Sequence, residues 1–189
     1  MNELYSFVCR GLLAEASLDK VGRQKRRHFG PEKASQVRQS LSFDLLDADM
    51  LADAQRMSIV YTAIHAFENM VRKFVIKAMA EVEGDAWWTK VPDRIQKSVK
   101  SRMEADAKFR WHGARGGTEI NYCDFGDLSS IIVTNWKVFE PVVAEMEWAK
   151  TVLNALEKSR NIVMHGGVLA KEDIERVGMN IRDWIRQIG

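Results

Sequence analysis

An arginine, an asparagine and a histidine stand together late in the chain, in the stretch E-K-S-R-N-I-V-M-H-G-G over residues 157–167. Arg160 is a fixed cation with a planar fork of donors that suits phosphate. Histidine, the type at position 165, is the side chain that exchanges protons near neutrality. Asn161 adds an amide four residues before it, so the set suits chemistry on a phosphate. On an ideal helix Asn161 and His165 are neighbours, and the amide is placed to orient the ring. Arg160 and His165 point about 140° apart. They meet only if the helix stops at His165, as Gly166 at a C-cap position suggests, or if two copies of the chain meet across a two-fold axis. Spacing alone says little, because Arg23 and His28 repeat it in R-Q-K-R-R-H without the asparagine or a surrounding apolar helix.

Helices must carry these groups. Of the 189 residues 46% are hydrophobic, and 12 glycines and three prolines leave little to interrupt long helices. The expected class is all-α, an antiparallel helical bundle with a long central helix and an N-terminal helical extension. Residues 1–45 form the N-terminal helix and basic segment, and residues 46–189 the bundle. Leu4, Phe7, Val8, Leu12 and Leu13 make one stripe of an amphipathic helix over residues 3–17. Asp44, Asp47 and Asp49 then complement the start of the long helix. Its Met57, Val60, Tyr61, Ile64, Phe67, Val71, Phe74, Val75, Ala78 and Val82 recur every three or four residues as far as Gly84. Glu68 and Arg72 lie one turn apart beside that stripe, either as a surface ion pair or with Glu68 turned inward to position a cation such as Arg160.

Trp87 and Trp88 mark a corner and read as packing anchors. Val91, Ile95, Val99 and Met103 carry the next helix. Asp127 reads as the N-cap of a helix with Leu128, Ile131, Ile132, Trp136 and Phe139. Pro141 suits the first turn of the run through Val143, Ala149, Val152, Leu153, Leu156 and Val163 that ends in the Arg160–His165 stretch. A last helix sets Ile174, Val177, Ile181, Trp184, Ile185 and Ile188 on a narrow seam.

A net charge of +2 is too mild to announce nucleic acid, so a basic surface must come from clusters. Lys20, Arg23, Lys25, Arg26 and Arg27 crowd residues 20–28, ahead of Gly30 and Pro31. Residues 90–115 hold eight Lys and Arg against three Asp and Glu, with Arg110 and Arg115 flanking Trp111 and His112. Each cluster is either a solvated face or a surface for RNA phosphates, with Arg23, Lys25, Arg26, Arg27, Arg110 and Arg115 as candidate contacts.

R-N-x-x-x-H at the end of a late helix in a small all-helical protein resembles the signature of the HEPN superfamily, many of whose members are metal-independent RNA endonucleases. F-E-N-M-V-R-K-F-V, the Trp87–Trp88 corner, N-Y-C-D-F-G-D-L-S-S-I-I, K-S-R-N-I-V-M-H-G-G-V-L and N-I-R-D-W-I-R-Q-I-G extend the likeness over residues 41–189. They are similar to the branch typified by the C-terminal domain of a nuclear messenger-RNA surveillance endonuclease, which also contains stand-alone bacterial proteins. The resemblance implies a helical bundle that dimerises so that the Arg and His of two protomers line one cleft. It nominates Arg160 and His165 as catalytic residues, with Asn161 at the polar position after the arginine and Glu68 as a looser candidate. The chain departs from the eukaryotic relative in having no separate nuclease domain.

There is no H-E-x-x-H, no Cys/His ligand cluster, no P-loop and no G-x-G-x-x-G. Neither a metal site nor a cofactor is expected. Metal-free RNA cleavage needs a group to take the 2′-OH proton, a group to protonate the leaving 5′-oxygen and a cation for the phosphorane. A histidine suits the first two tasks and an arginine the third. Together with the resemblance, this implies an endoribonuclease of toxin or defence type that leaves 2′,3′-cyclic phosphate and 5′-hydroxyl ends, with RNA, a second copy of the chain and a neutralising antitoxin or partner protein as partners. The alternatives are a silent HEPN module that binds RNA or a partner protein, and a helical interaction protein whose Arg160 and His165 merely cap a helix. Cys9 and Cys123 are far apart, and residues 1–17 lack the pattern of a signal peptide. A reduced, cytoplasmic protein without a membrane span is expected.

Overall fold

The computed structural model describes residues 17–18, 30–109 and 111–188. Nearly all of the expected helix over residues 3–17 lies outside that set, as do Arg23, Lys25, Arg26, Arg27 and Arg110. Contacts divide the chain into two units, Met1–Ala48 and Asp49–Gly189. In the first unit, α1 (Pro31–Ser40) starts on Pro31, whose fixed φ fits a first helical position. It buries no residue, and it ends ahead of Ser42, a left-handed residue at φ 52°, which leads into a 3-10 turn over Phe43–Leu45.

The second unit is all-α, with no strand among the described residues. Its axis is α2 (Ala48–Glu83), 36 residues long. The three-and-four spacing puts Met57, Val60, Ile64, Phe67, Val71, Val75 and Met79 on one buried stripe, each such side chain worth about 1.5–3 kcal/mol on burial. Val82, expected on that stripe, is 61% exposed, because the last turn runs past the core. Gly84 at φ +67° ends the helix, and the 3-10 turn Gly84–Lys90 follows. Trp87 and Trp88 meet edge to face at 5.4 Å and pack against the core.

α3 (Asp93–Ala107) turns Ile95 and Val99 inward. A 3-10 turn over Glu119–Tyr122 then leads to α4 (Phe125–Thr134). Asp127 is not the N-cap of α4: Asp124 is, and Asp127 is the third residue of a capping box in which each side chain satisfies the other end's backbone N–H. The expected single helix from Leu128 to Phe139 breaks at Asn135, whose amide bonds the Ile131 carbonyl, and α5 (Trp136–Phe139) follows. Pro141 lies in a turn ahead of α6 (Met146–Met164) rather than in its first turn. α7 (Lys171–Ile188) buries Val177 and Trp184 and leaves Ile185 47% exposed, off the expected seam.

Rings lock the bundle. Trp184 meets Phe67 edge-on at 5.6 Å and Phe74 at 6.2 Å, and stacks on Trp148 at 5.8 Å. α6 is packed between α4 and α7, and this placement fixes which of its faces remains open.

Candidate functional site

The apolar positions Ala149, Val152, Leu153 and Leu156 bury one stripe of α6. Positions 154, 157, 158, 161 and 165 recur on another stripe at helical spacing. Asn154, Glu157, Lys158, Asn161, Ile162 and His165 line an open depression of about 520 Å³. His165 is the C-cap, exposed, with its backbone already off the helical path at φ -96° and ψ 18°. Gly166 at φ +78° donates to the Val163 carbonyl at 3.1 Å, and Gly167 donates to Ile162 at 2.8 Å. These two bonds make a Schellman end, which answers two of the free carbonyls of α6. A Cβ on Gly167 would fall 2.6 Å from Ile162 Cγ2 and 2.8 Å from its carbonyl oxygen. Both glycines are therefore needed for a stop at this residue.

Arg160 is half-buried on a different face and does not line the depression. Its Nη1 donates to Asn161 Oδ1 at 3.1 Å. The asparagine thus holds the arginine rather than the imidazole ring. The expected orienting bond from Asn161 to the ring is replaced by a backbone one, from the His165 N–H to the Asn161 carbonyl at 3.1 Å. Arg160 comes to the rim of His165's depression through Asn161.

Glu68 is buried, 6% exposed, and its carboxylate is bound by Arg72 one turn on. It is not a surface ion pair: it turns inward, as the second reading expected, but the cation it positions is Arg72 and not Arg160. Arg72 also donates to the carbonyls of Cys123 at 2.9 Å and Ile120 at 3.3 Å, and to Asn69 Oδ1 at 3.3 Å. Asn69 in turn contacts the His65 ring through its amide nitrogen at 3.1 Å. From α3, Arg102 bonds Asp127 at 2.8 Å, Asp124 at 2.9 Å and the Tyr122 carbonyl at 2.6 Å. Burial works against the charge on Arg102, but the Asp127 hydrogen bond and the nearby carboxylates outweigh it and raise its pKa. Two arginines from two helices therefore brace the strand of chain that enters α4. Among the described residues no buried side-chain nitrogen or oxygen lacks a partner.

Cys123, in the middle of this brace, has its thiol pushed up to about 12 by burial first and by Asp127 second, so it is no nucleophile. Sequence reasoning missed Arg102 and Asp124. The available signal was D-x-x-D before an apolar run, which marks a helix start with two carboxylates that a cation can share.

Arg115, expected on RNA, is engaged by the fold. It lies 3.6 Å from Asp106 and over the Tyr122 ring at 5.8 Å. Arg94 is exposed, as are Lys97 and Lys100. Arg94 and Lys150 line a second depression of about 480 Å³, which shares Asn154 and Glu157 with the first. The two form one groove along α6 that ends at His165. Among the described residues no three His, Cys, Asp or Glu side chains gather as metal ligands, and no helix is long and apolar enough to cross a membrane.

No curated protein and no solved structure matches the chain. The family described as Swt1-like HEPN matches residues 62–189, a stretch that holds the α2 stripe from Ile64 onward, the braced entry to α4 and the R-N-x-x-x-H end of α6. With the all-helical bundle and more than half of its length matched, the chain belongs to the Swt1-like HEPN family.

Proposed function

We propose that this protein is a metal-independent RNA endonuclease whose reacting groups are Arg160 and His165. A HEPN domain narrows the field to ribonucleases and nucleotide-binding modules. The observation that carries the finer reading is the end of α6, where an exposed imidazole and a guanidinium without a carboxylate partner among the described residues flank an open groove. In a fold that answers Arg72 and Arg102 beside α4 with carboxylates and carbonyls, this arginine meets one neutral amide among the described residues. It is free to meet a phosphate.

The 2′-oxygen attacks phosphorus, its proton passes to a histidine, and the new P–O2′ bond forms as the P–O5′ bond breaks. A second histidine gives its proton to the departing 5′-oxygen. Arg160 answers the charge on the equatorial oxygens. A symmetric dimer supplies the second His165. Ile162 in the lining of the site, and Met164 and Val168 close to His165 in sequence, are 37%, 50% and 46% exposed and offer apolar surface suited to that partner. The exposed Arg94, Lys97 and Lys100 and the basic residues 20–28 add attraction for the phosphate chain.

One observation favours the alternative of a silent module that binds RNA or a partner protein. The His165 ring has no hydrogen-bond partner among the described residues to fix its tautomer. The deciding experiment is incubation with single-stranded RNA in excess EDTA. Cleavage to cyclic phosphate ends, with DNA of the same sequence left whole, is the expected outcome. RNA that survives in chelator overturns the nuclease reading in favour of the binding module.

A further inference from the structure

Among the described residues Glu157 has the only carboxylate shared by both depressions of the groove. Asp124 and Asp127 also line the groove, but Arg102 answers both of them. Glu157 has no hydrogen-bond or ionic partner among the described residues, although Lys158 stands beside it in sequence. It lies over the first turn of α4, where Gly126 makes room for it: a Cβ at that position would sit 3.3 Å from Glu157 Oε1. The carboxylate is therefore placed by a gap in its neighbour and left with free lone pairs facing the groove.

A carboxylate is a poor neighbour for phosphate, since like charges repel. In a groove that otherwise offers Arg94, Lys158 and His165 to a polyanion, with Lys150 loosely paired to Glu147 at 3.7 Å, it needs a different target. Ionised, it only accepts hydrogen bonds, and it can take two at once. Guanine is the standard base that presents two adjacent donors, N1–H and the N2 amino group, on its Watson–Crick edge. Cytosine and adenine offer one amino group there and uracil one imide N–H. Bases in single-stranded RNA are open to reading on that edge. Glu157 and His165 are eight residues apart, about 12 Å along the helix axis, with Asn161 between them. A nucleotide whose phosphate lies at His165 can extend its base along the helix towards Glu157.

We propose that Glu157 is the specificity-determining residue of the groove, and that it selects a guanine beside the phosphate held at His165. The proposal rests on the groove being an RNA site, and its test does not require cleavage. Uridine-rich oligonucleotides, 2′-O-methylated throughout so that they cannot be cut, carry either one guanosine or one inosine, which lacks the N2 amino group. Wild-type protein should bind the guanosine oligonucleotide about tenfold more tightly, the scale of a good two-bond base contact. Glu157→Gln, with melting checked against wild type, should bind both equally. Equal affinity of the wild-type protein for guanosine and inosine overturns the inference, and so does a preference that survives Glu157→Gln. Guanosine preference without cleavage of ordinary RNA in EDTA overturns the nuclease reading alone. Cleavage without guanosine preference overturns this one alone.

Discussion

Two sets of histidine, asparagine and arginine lie on this bundle, and they have opposite fates. On α2, His65, Asn69 and Arg72 are wired together and on through Glu68 and the carbonyls of Ile120 and Cys123. At the end of α6, Arg160 reaches only Asn161 among the described residues, and the His165 ring has no hydrogen-bond partner among them. Sequence order explains part of the difference. Asn69 follows its histidine by one turn, so its amide bonds the His65 carbonyl at 3.0 Å and comes to rest against the ring. Asn161 precedes its histidine and cannot make that bond. His165 has also left the helical path at its backbone, and among the described residues no side-chain bond ties its ring to Asn161, although the two line the same depression. Groups of the same type become scaffold where the fold completes their bonds, and stay available where it does not.

The largest effect should come from breaking the closed set. Arg72→Ala strips Glu68 of its cation in a buried place, a change that costs about 3–5 kcal/mol. Urea unfolding should register it as a lower midpoint, and a loss below about 1 kcal/mol would mean that the α2 set is no brace. The open set should behave in reverse. His165→Ala and Arg160→Ala should each lower cleavage in EDTA by about 100-fold or more while melting stays near wild type. A drop in melting as large as that of Arg72→Ala would turn those two residues into caps and erase the contrast.

Gly166→Ala tests the stop that exposes His165. An alanine at φ +78° costs about 1–2 kcal/mol, read by the same unfolding curves, and a neutral result would show that the helix end can be rebuilt another way. The smallest effect belongs to Cys123 inside the closed set. Its native pKa of about 12 lies above the ordinary 9.0, so the unfolded thiol loses its proton first. Its contribution to stability is whole below pH 9 and drains as the pH climbs towards 12. In a Cys9→Ser background the native protein should resist iodoacetamide at pH 8 and react once unfolded. Rapid native labelling would place that thiol outside the braced region.

The long helix and the site helix were legible in the sequence because period carries over into burial: Ile64, Val71 and Val75 are fully covered, as their spacing demands. The Gly166–Gly167 stop was legible for a similar reason, since few other residues tolerate those backbone positions. The fates of Glu68 and Arg160 were not. Both depend on which carboxylates, carbonyls and amides distant segments bring near, and helical spacing is blind to that. Glu157 was missed because its isolation comes from Gly126 on another helix. The break at Asn135 was hidden inside an apolar pattern that runs on through it.

The aromatic lock has a consequence for the order in which the chain is made. Phe67 and Phe74 on α2 wait for Trp184 to cover them, and more than a hundred residues separate the two sides. At about 5–20 residues per second of synthesis, the apolar stripe of α2 emerges several seconds before its cover. α4, α6 and α7 lie close together in sequence and need only short loops to meet. A nascent chain therefore carries a helix 36 residues long whose stripe still lacks its last cover, a ready hold for chaperones, while every residue that lines the groove, from Arg94 to His165, is made before Trp184.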